Sequence, residues 1–228
     1  MKKISVFILI FAVALCSLFV LTPSASDEFV VEDGVLLTYT GSESVVDIPA
    51  DVYYIADGAF KGNSHIRTVN LHSGVYLIGN EAFSGCTTLK NVNNPYSVSF
   101  VGAYAFENTP FYNNNEAEFI CLNNVLIGSN AKGDVTIPDT VGSVAAYAFV
   151  GNTSVTSVYI PDSVSEVGEG AFLNCTALKA VTGGKNLSYI GSLSFYSTEF
   201  IKTNSDEFLI MGEDILVSYN GNSDQVSV

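Results

Sequence analysis

The sequence predicts a mainly β solenoid of 23-residue coils with interspersed β-hairpins. The first observation is a beat: Ala-Phe falls at Ala59-Phe60, Ala82-Phe83, Ala105-Phe106, Ala148-Phe149 and Ala171-Phe172, with an altered copy at Ser194-Phe195, in steps of 23, 23, 43, 23 and 23 residues. A fixed period of this length marks stacked coils, each unable to bury its apolar side without a neighbour. The second is an element that occurs three times, as EFVVEDGVLLTYTG from Glu28, EFICLNNVLIGSN from Glu118 and EFLIMGEDILVSYNG from Glu207. Each copy is an apolar run, a polar turn and a second apolar run, which is a hairpin pattern. The third is the spacing of apolar columns Ile48, Val52, Ile55, Phe60, Ile66, Val69 and Leu71, which no single helix or strand produces. A coil that turns several corners does produce it, with one inward side chain at each stop.

Taken in order, residues 1–26 read as an export signal. Lys2-Lys3 precede an apolar run from Ile4 to Leu21, and TPSAS follows, with cleavage expected after Ser26. The alternative is an uncleaved anchor, since about 17–25 apolar residues can cross a bilayer. A hairpin element fills 27–47, with Asp33-Gly34 its clearest turn. Repeats 1–3 occupy 48–116, a second hairpin element 117–136, repeats 4–6 occupy 137–205, and a third hairpin element 206–228. The two blocks align without gaps at an offset of 89, and the residue three past each Phe runs Asn63, Cys86, Thr109 and then Asn152, Cys175, Thr198. A whole three-unit block has been duplicated. Aligned on the earlier hairpins, Val228 stands where Ile48 stands before Pro49, so the sequence leads us to expect further repeats beyond it.

The triplets Val69-Asn70-Leu71, Val158-Tyr159-Ile160 and Val135-Thr136-Ile137 alternate in, out, in, and read as short half-buried strands. Pro49, Pro138 and Pro161 close such strands, because proline cannot donate to a ladder. Gly79, Gly102, Gly168 and Gly191 recur at one corner where a Cβ would obstruct the backbone. The Phe column is expected to form one stacked ridge, and the Asn/Cys/Thr column a corner whose small polar groups satisfy the turning backbone.

Units such as IPDSVSEVGEGAFLNCTALKAVT (160–182) resemble the BspA-type leucine-rich repeat, whose pattern is similar to I-P-x-x-V-x-x-I-G-x-x-A-F-x-G-C-x-x-L-x-x-V. The resemblance covers residues 27–228 and implies a right-handed leucine-rich-repeat solenoid. It also implies a secreted or cell-surface protein that binds other macromolecules and does not catalyse. The departures are Ala56 and Ala145 for Gly, His72 for Pro and Gly183-Gly184 for Ile-Pro. They suggest that the third and sixth units are looser ends of each block.

Composition narrows the partners. The chain carries 9 Lys+Arg against 23 Asp+Glu. Loss of Lys2 and Lys3 with the export segment would deepen the negative balance further. Such a field repels phosphate backbones and disfavours nucleic acid or an anionic membrane, apart from the signal segment itself. Cys86 and Cys175 hold the same corner at least three coils apart, roughly 14 Å or more at about 4.8 Å per coil, too far for a disulfide, which needs Cα atoms within about 7 Å. Both are expected free and buried.

No catalytic, cofactor or metal constellation emerges. His65 and His72 stand seven apart without Cys or carboxylates at ligand spacing. The acids Asp27-Glu28, Glu116, Glu118 and Asp206-Glu207 read as solvated charge. The Asn-x-Ser/Thr sites at Asn152, Asn174 and Asn186 read as by-products of the repeat. A solenoid binds through outward strand residues. Those of the first strand column are Asp47, Asn70, Asn93, Thr136, Tyr159 and Thr182, and those of the second are Tyr53, Tyr54, Tyr76, Phe100 and Tyr189. Asn70, Asn93, Thr136, Tyr159, Thr182, Tyr54 and Tyr76 are therefore the candidate partner-binding residues, for an extracellular protein or glycan. The other readings are a carbohydrate-recognition module of a larger extracellular enzyme and a spacer.

Overall fold

The computed structural model describes residues 28–204, 208–212 and 215–219. The expected export segment, the acids Asp206-Glu207 and Val228 lie outside the described residues. A hairpin opens the described chain, β1 (Phe29–Glu32) with β2 (Val35–Tyr39). Its turn places Asp33 at φ 47 and Gly34 at φ 75, the left-handed pair that a tight hairpin turn requires. Three- and two-residue strands then alternate: β3 (Val45–Asp47), β4 (Tyr54–Ile55), β5 (Thr68–Asn70), β6 (Leu77–Ile78), β7 (Asn91–Asn93) and β8 (Phe100–Val101). The block ends in a single helical turn, α1 (Pro110–Asn113). The second hairpin, β9 (Phe119–Leu122) with β10 (Val125–Ser129), starts the second block: β11 (Gly133–Thr136), β12 (Ser143–Val144), β13 (Val155–Ile160), β14 (Glu166–Val167), β15 (Ala180–Gly183), β16 (Tyr189–Ile190) and α2 (Glu199–Thr203). A third hairpin follows, β17 (Phe208–Met211) with β18 (Ile215–Tyr219).

Each coil gives one strand to each of two parallel stacks. The longer strands form sheets β3-β5-β7 and β11-β13-β15. The shorter ones form sheets β1-β2-β4-β6-β8 and β9-β10-β12-β14-β16. Pairs within the repeats lie 23 residues apart, as in Val46↔Val69↔Val92 and Ile55↔Ile78↔Val101, and Leu36 of the hairpin pairs with Ile55. A hairpin thus contributes its second strand as the first rung of each short-strand sheet. The Ala-Phe turns make a third ladder, with Phe60 N–H to Ala82 O and Phe83 N–H to Ala105 O both at 2.8 Å. The turning backbone is thus satisfied partly by the adjacent coil and partly within its own, as in Val52 N–H to Pro49 O.

The Phe column stacks, but as two spines rather than one ridge. Phe60, Phe83 and Phe106 lie 4.7 and 5.2 Å apart between ring centroids, and Phe149, Phe172 and Phe195 lie 4.7 and 5.3 Å apart. Phe111 of α1 tilts onto Phe106, and Phe200 of α2 meets Phe195 edge-on. Tyr39 of the first hairpin begins the first spine, 5.2 Å from Phe60. The column breaks because the second hairpin carries Ser129, opposite Phe119, where the first carries Tyr39 opposite Phe29, so no ring bridges the blocks at that place. The buried core divides in the same way, into one cluster mostly of the first block and one of the second.

The corner column after each Phe does the work its polarity suggests. Asn63 donates to Gly41 O and accepts from the His65 and Ile66 amides, and Asn152 repeats this with Ala131 O, Ser154 and Val155. The Cys86 and Cys175 thiols donate to Phe60 O and Phe149 O, both at 3.0 Å. Thr109 and Thr198, fully buried, donate to Phe106 O and Phe195 O and accept from the Tyr112 and Ile201 amides. A threonine here caps a helix where its counterparts lead into a strand. The third and sixth units are thus helical closures of each spine and not loose ends.

The glycine corner is enforced by the preceding coil. A Cβ on Gly102 would stand 2.5 Å from Asn80 N, and one on Gly168 2.5 Å from Ala146 N. Ala56 and Ala145 occupy this position in the first coil of each block, where the preceding neighbour is a hairpin and not a corner, so a methyl fits. His72, which replaces proline, bonds Pro49 O at 3.0 Å through Nε2 and accepts from the Gly74 amide at Nδ1. Among the described residues no helix is long and apolar enough to cross a membrane.

Candidate functional site

The long-strand face carries five of the seven candidates, and it is largely self-bonded. Asn70 donates to Asp47 Oδ1 at 2.7 Å, and Asn93 donates to Asn70 Oδ1 at 2.8 Å. This ladder ties successive coils together, so Asn70 and Asn93 spend their amides on the fold. In the second block Thr136, Tyr159 and Thr182 form one row, with Tyr159 44% exposed. Beside it, Asp134 accepts from Ser157 and Thr156, which together hold its carboxyl below the usual range. Arg67 and Lys90 on adjacent coils of the first block, and Lys179 in the second, hold the position that leads into the long strands.

The short-strand face differs between the blocks. In the first, Tyr53, Tyr76 and Phe100 are 45–50% exposed on three successive coils, with Tyr54 and Leu77 half-buried between them. Tyr54 donates to Asp57 Oδ1 at 3.2 Å, and burial with the neighbouring Asp57 raises its hydroxyl above the ordinary range. The equivalent positions 89 residues on are Gly142, Ser143, Ser165, Glu166, Ser188 and Tyr189. Duplication kept the buried columns and changed this surface.

A groove separates the blocks, and the candidate residues do not include it. The backbone ladders run unbroken within each block, but among the described residues no sheet joins β8 to β10. The hairpin is held to the first block by packing and by Asn123, which donates to Val98 O at 2.9 Å. Two adjoining lobes of about 150 and 220 Å³ result. Val101, Ala145 and Ala146 line both, and Ala103 lines the larger. Asp57 and Asn80 hold the corner column in the first two coils and bond the coil above, whereas Ala103 and Ala146 stand there at the junction. Small residues at that column leave the depression open.

Tyr104 and Tyr147 border the smaller lobe and stack across the junction at 4.6 Å between centroids. Both have left-handed backbones (φ 57 and 60). Tyr147 donates to Glu169 Oε1 at 3.0 Å, and that bond, with burial, raises its hydroxyl; burial and the nearby Glu107 raise that of Tyr104. Both therefore remain protonated donors. Phe100 and Tyr189 flank the larger lobe, with Glu166 and Glu169 beside them, and Glu107 lines the smaller. The sequence signal for this site is the 43-residue step combined with Ala145 in the glycine column.

Nothing in the fold assembles a reaction centre from the two histidines. His65 is exposed, and both ring nitrogens of His72 serve the coil corner. Among the described residues no three His, Cys, Asp or Glu side chains come together as a metal site. Cys86 and Cys175 are free and buried, and Cys121 is free and exposed. The Asn152 and Asn186 amides are hydrogen-bonded within the repeat.

The model of the BspA type leucine rich repeat region matches in six copies over residues 38–113 and 127–211. The chain belongs to the BspA-type leucine-rich repeat family. Among solved structures it is similar to a leucine-rich repeat protein of T. pallidum, at 22% identity and TM-score 0.46, over 76% of this chain and 88% of that one. It is also similar to a leucine-rich cell surface protein of Faecalibacterium prausnitzii, at 24% identity and TM-score 0.34, over 77% of this chain and 39% of that one. A leucine-rich repeat protein of Bacteroides ovatus is similar at 23% identity and TM-score 0.38, over 77% and 55% of the two chains. This chain thus spans about four-tenths to nine-tenths of the length of these proteins. No curated protein matches it.

Proposed function

We propose that this BspA-type repeat protein is a secreted or surface-attached, non-catalytic interaction module that meets an extracellular protein or glycan with the short-strand face of its first block. The observation that carries this reading is the exposed pair Tyr53 and Tyr76 on successive coils, with Phe100 on the third coil in the neighbouring Tyr54–Leu77 column; the duplicated block has Gly142 and Ser165 in place of the pair and keeps an aromatic only at Tyr189, equivalent to Phe100. Aromatic rings supply most of the contact energy in recognition, and side by side on a rigid sheet they incur little ordering cost. Export is supported by Lys2-Lys3, the apolar run to Leu21 and the small residues before Asp27.

Matrix-protein and glycan-array screens of the purified protein test this. The Tyr53→Ser/Tyr76→Ser variant is expected to lose about tenfold or more in affinity for whatever is captured, as truncation of a central aromatic pair does. Its circular dichroism and melting should stay close to those of the parent. Undiminished capture by the variant removes this face from the reading. Failure of both screens to capture anything favours a spacer.

A further inference from the structure

The groove between the blocks has a chemistry of its own. Glu107, Glu166 and Glu169 line it, no Lys or Arg does, and among the described residues no ion pair engages these three carboxylates. The described ion pairs are Lys61–Glu81 and Lys202–Glu199, and Arg67, Lys90 and Lys179 stand at the entry to the long strands. Apart from its carboxylates and the Tyr147 bond to Glu169, the rim is aromatic: Phe100, Tyr104, Tyr112, Tyr147 and Tyr189. Such a site is rich in carboxylate acceptors and π faces and holds no cationic donor; its side-chain donors are neutral. Guanidinium and ammonium groups bring donors alone, and they sit favourably over aromatic faces. The lobes, at about 150 and 220 Å³, fall short of small-molecule pockets, which run to about 300–1,000 Å³. They suit side chains of a longer ligand.

We infer that the junction groove binds the arginine or lysine side chains of an extended basic segment of a partner protein. The inference deepens the proposed interaction role and rests on it. The two lobes adjoin, so side chains of one strand-like segment can enter both. The remainder of the segment runs toward Phe100, at the edge of the aromatic face. The missing rung of the solenoid is therefore the place where a partner's backbone lies.

The test uses the purified full chain and a fluorescein-labelled octapeptide of alternating Arg and Ser, read by anisotropy at about 0.15 M salt, where the Debye length is about 8 Å. The citrulline version of the peptide is the neutral control. The expected results are binding of the Arg peptide and not of the control, and a loss of about tenfold in Glu107→Gln/Glu166→Gln/Glu169→Gln, as three exposed ion pairs together allow. Glu32→Gln/Glu118→Gln/Asp162→Asn makes the same change in net charge away from the groove and should cost less than about twofold, since distant exposed charges are screened. Tyr104→Leu/Tyr147→Leu should weaken binding by about threefold or more through the lost rings. It keeps the turn, because Leu193 holds the equivalent position at φ 58. Equal loss in both charge triples, or no binding by the parent, overturns the inference. So does a captured partner that depends on Tyr53 and Tyr76 but is indifferent to the groove triple, and in that case the proposed function stands without it.

Discussion

Phe149 shows what a single column position is worth. It is 1% exposed and stacks on Phe172 at 4.7 Å. Phe149→Ala should destabilise the protein by about 3–5 kcal/mol, the lost transfer energy plus a cavity the rigid coils cannot collapse, measured by urea unfolding. Gly102→Ala should cost about 1–3 kcal/mol for the opposite reason, overpacking, because its methyl would meet the Asn80 backbone. The buried thiols make a prediction in pH. Burial pushes Cys86 and Cys175 from 9.0 up to about 11. A thiol held neutral by the fold gives stability that is complete below its unfolded pKa and is lost as pH rises toward the folded one. Stability should therefore fall between pH 9 and about 11, and the Cys86→Ala/Cys175→Ala variant should lose part of that slope. Among the described cysteines, iodoacetamide at pH 8 should label Cys121 and spare Cys86 and Cys175 until denaturant is added, since Cys121 is exposed and the other two are buried.

Among elements, the helical turns and hairpins decide where stacking stops. Thr198→Val leaves the Ile201 amide uncapped and removes the bond to Phe195 O inside a fully buried corner. A loss of about 1–2 kcal/mol is expected in urea unfolding, typical of a threonine cap. How legible these elements were depended on the residue. The hairpins and strand triplets could be read because alternation is a local pattern, as in Val158-Tyr159-Ile160. The helical turns at Pro110 and Glu199 could not, because four or five residues carry no period and the decisive contacts are a buried threonine and the preceding Phe. The amide ladder of Asn70 and Asn93 is hidden from the sequence for the same reason. Exposure was readable from alternation, but the bonds to Asp47 and to each other form only when coils 23 residues apart come into register.

At the scale of the molecule, among the described residues neither strand ladder crosses from the first block to the second: no sheet joins β8 to β10 or β7 to β11. In a stack that is stabilised neighbour by neighbour, the weakest interface sets the unit of cooperativity. Hydrogen exchange of the Phe149→Ala variant should therefore accelerate mainly the second block, with smaller changes in β4 to β8. Uniform acceleration through both blocks would mean that packing at the junction couples them fully. What the sequence determined by itself was the coil: its period, its corners, its buried columns and the duplication of a three-unit block, because each of these repeats at fixed spacing and is enforced by burial in every copy. Only the tertiary structure decided that the Phe ridge is two spines and that an aromatic and acidic groove lies between them. That groove exists because a hairpin supplies one strand of a coil without its corner, and an omitted surface becomes visible only when the coils on either side of it are brought together.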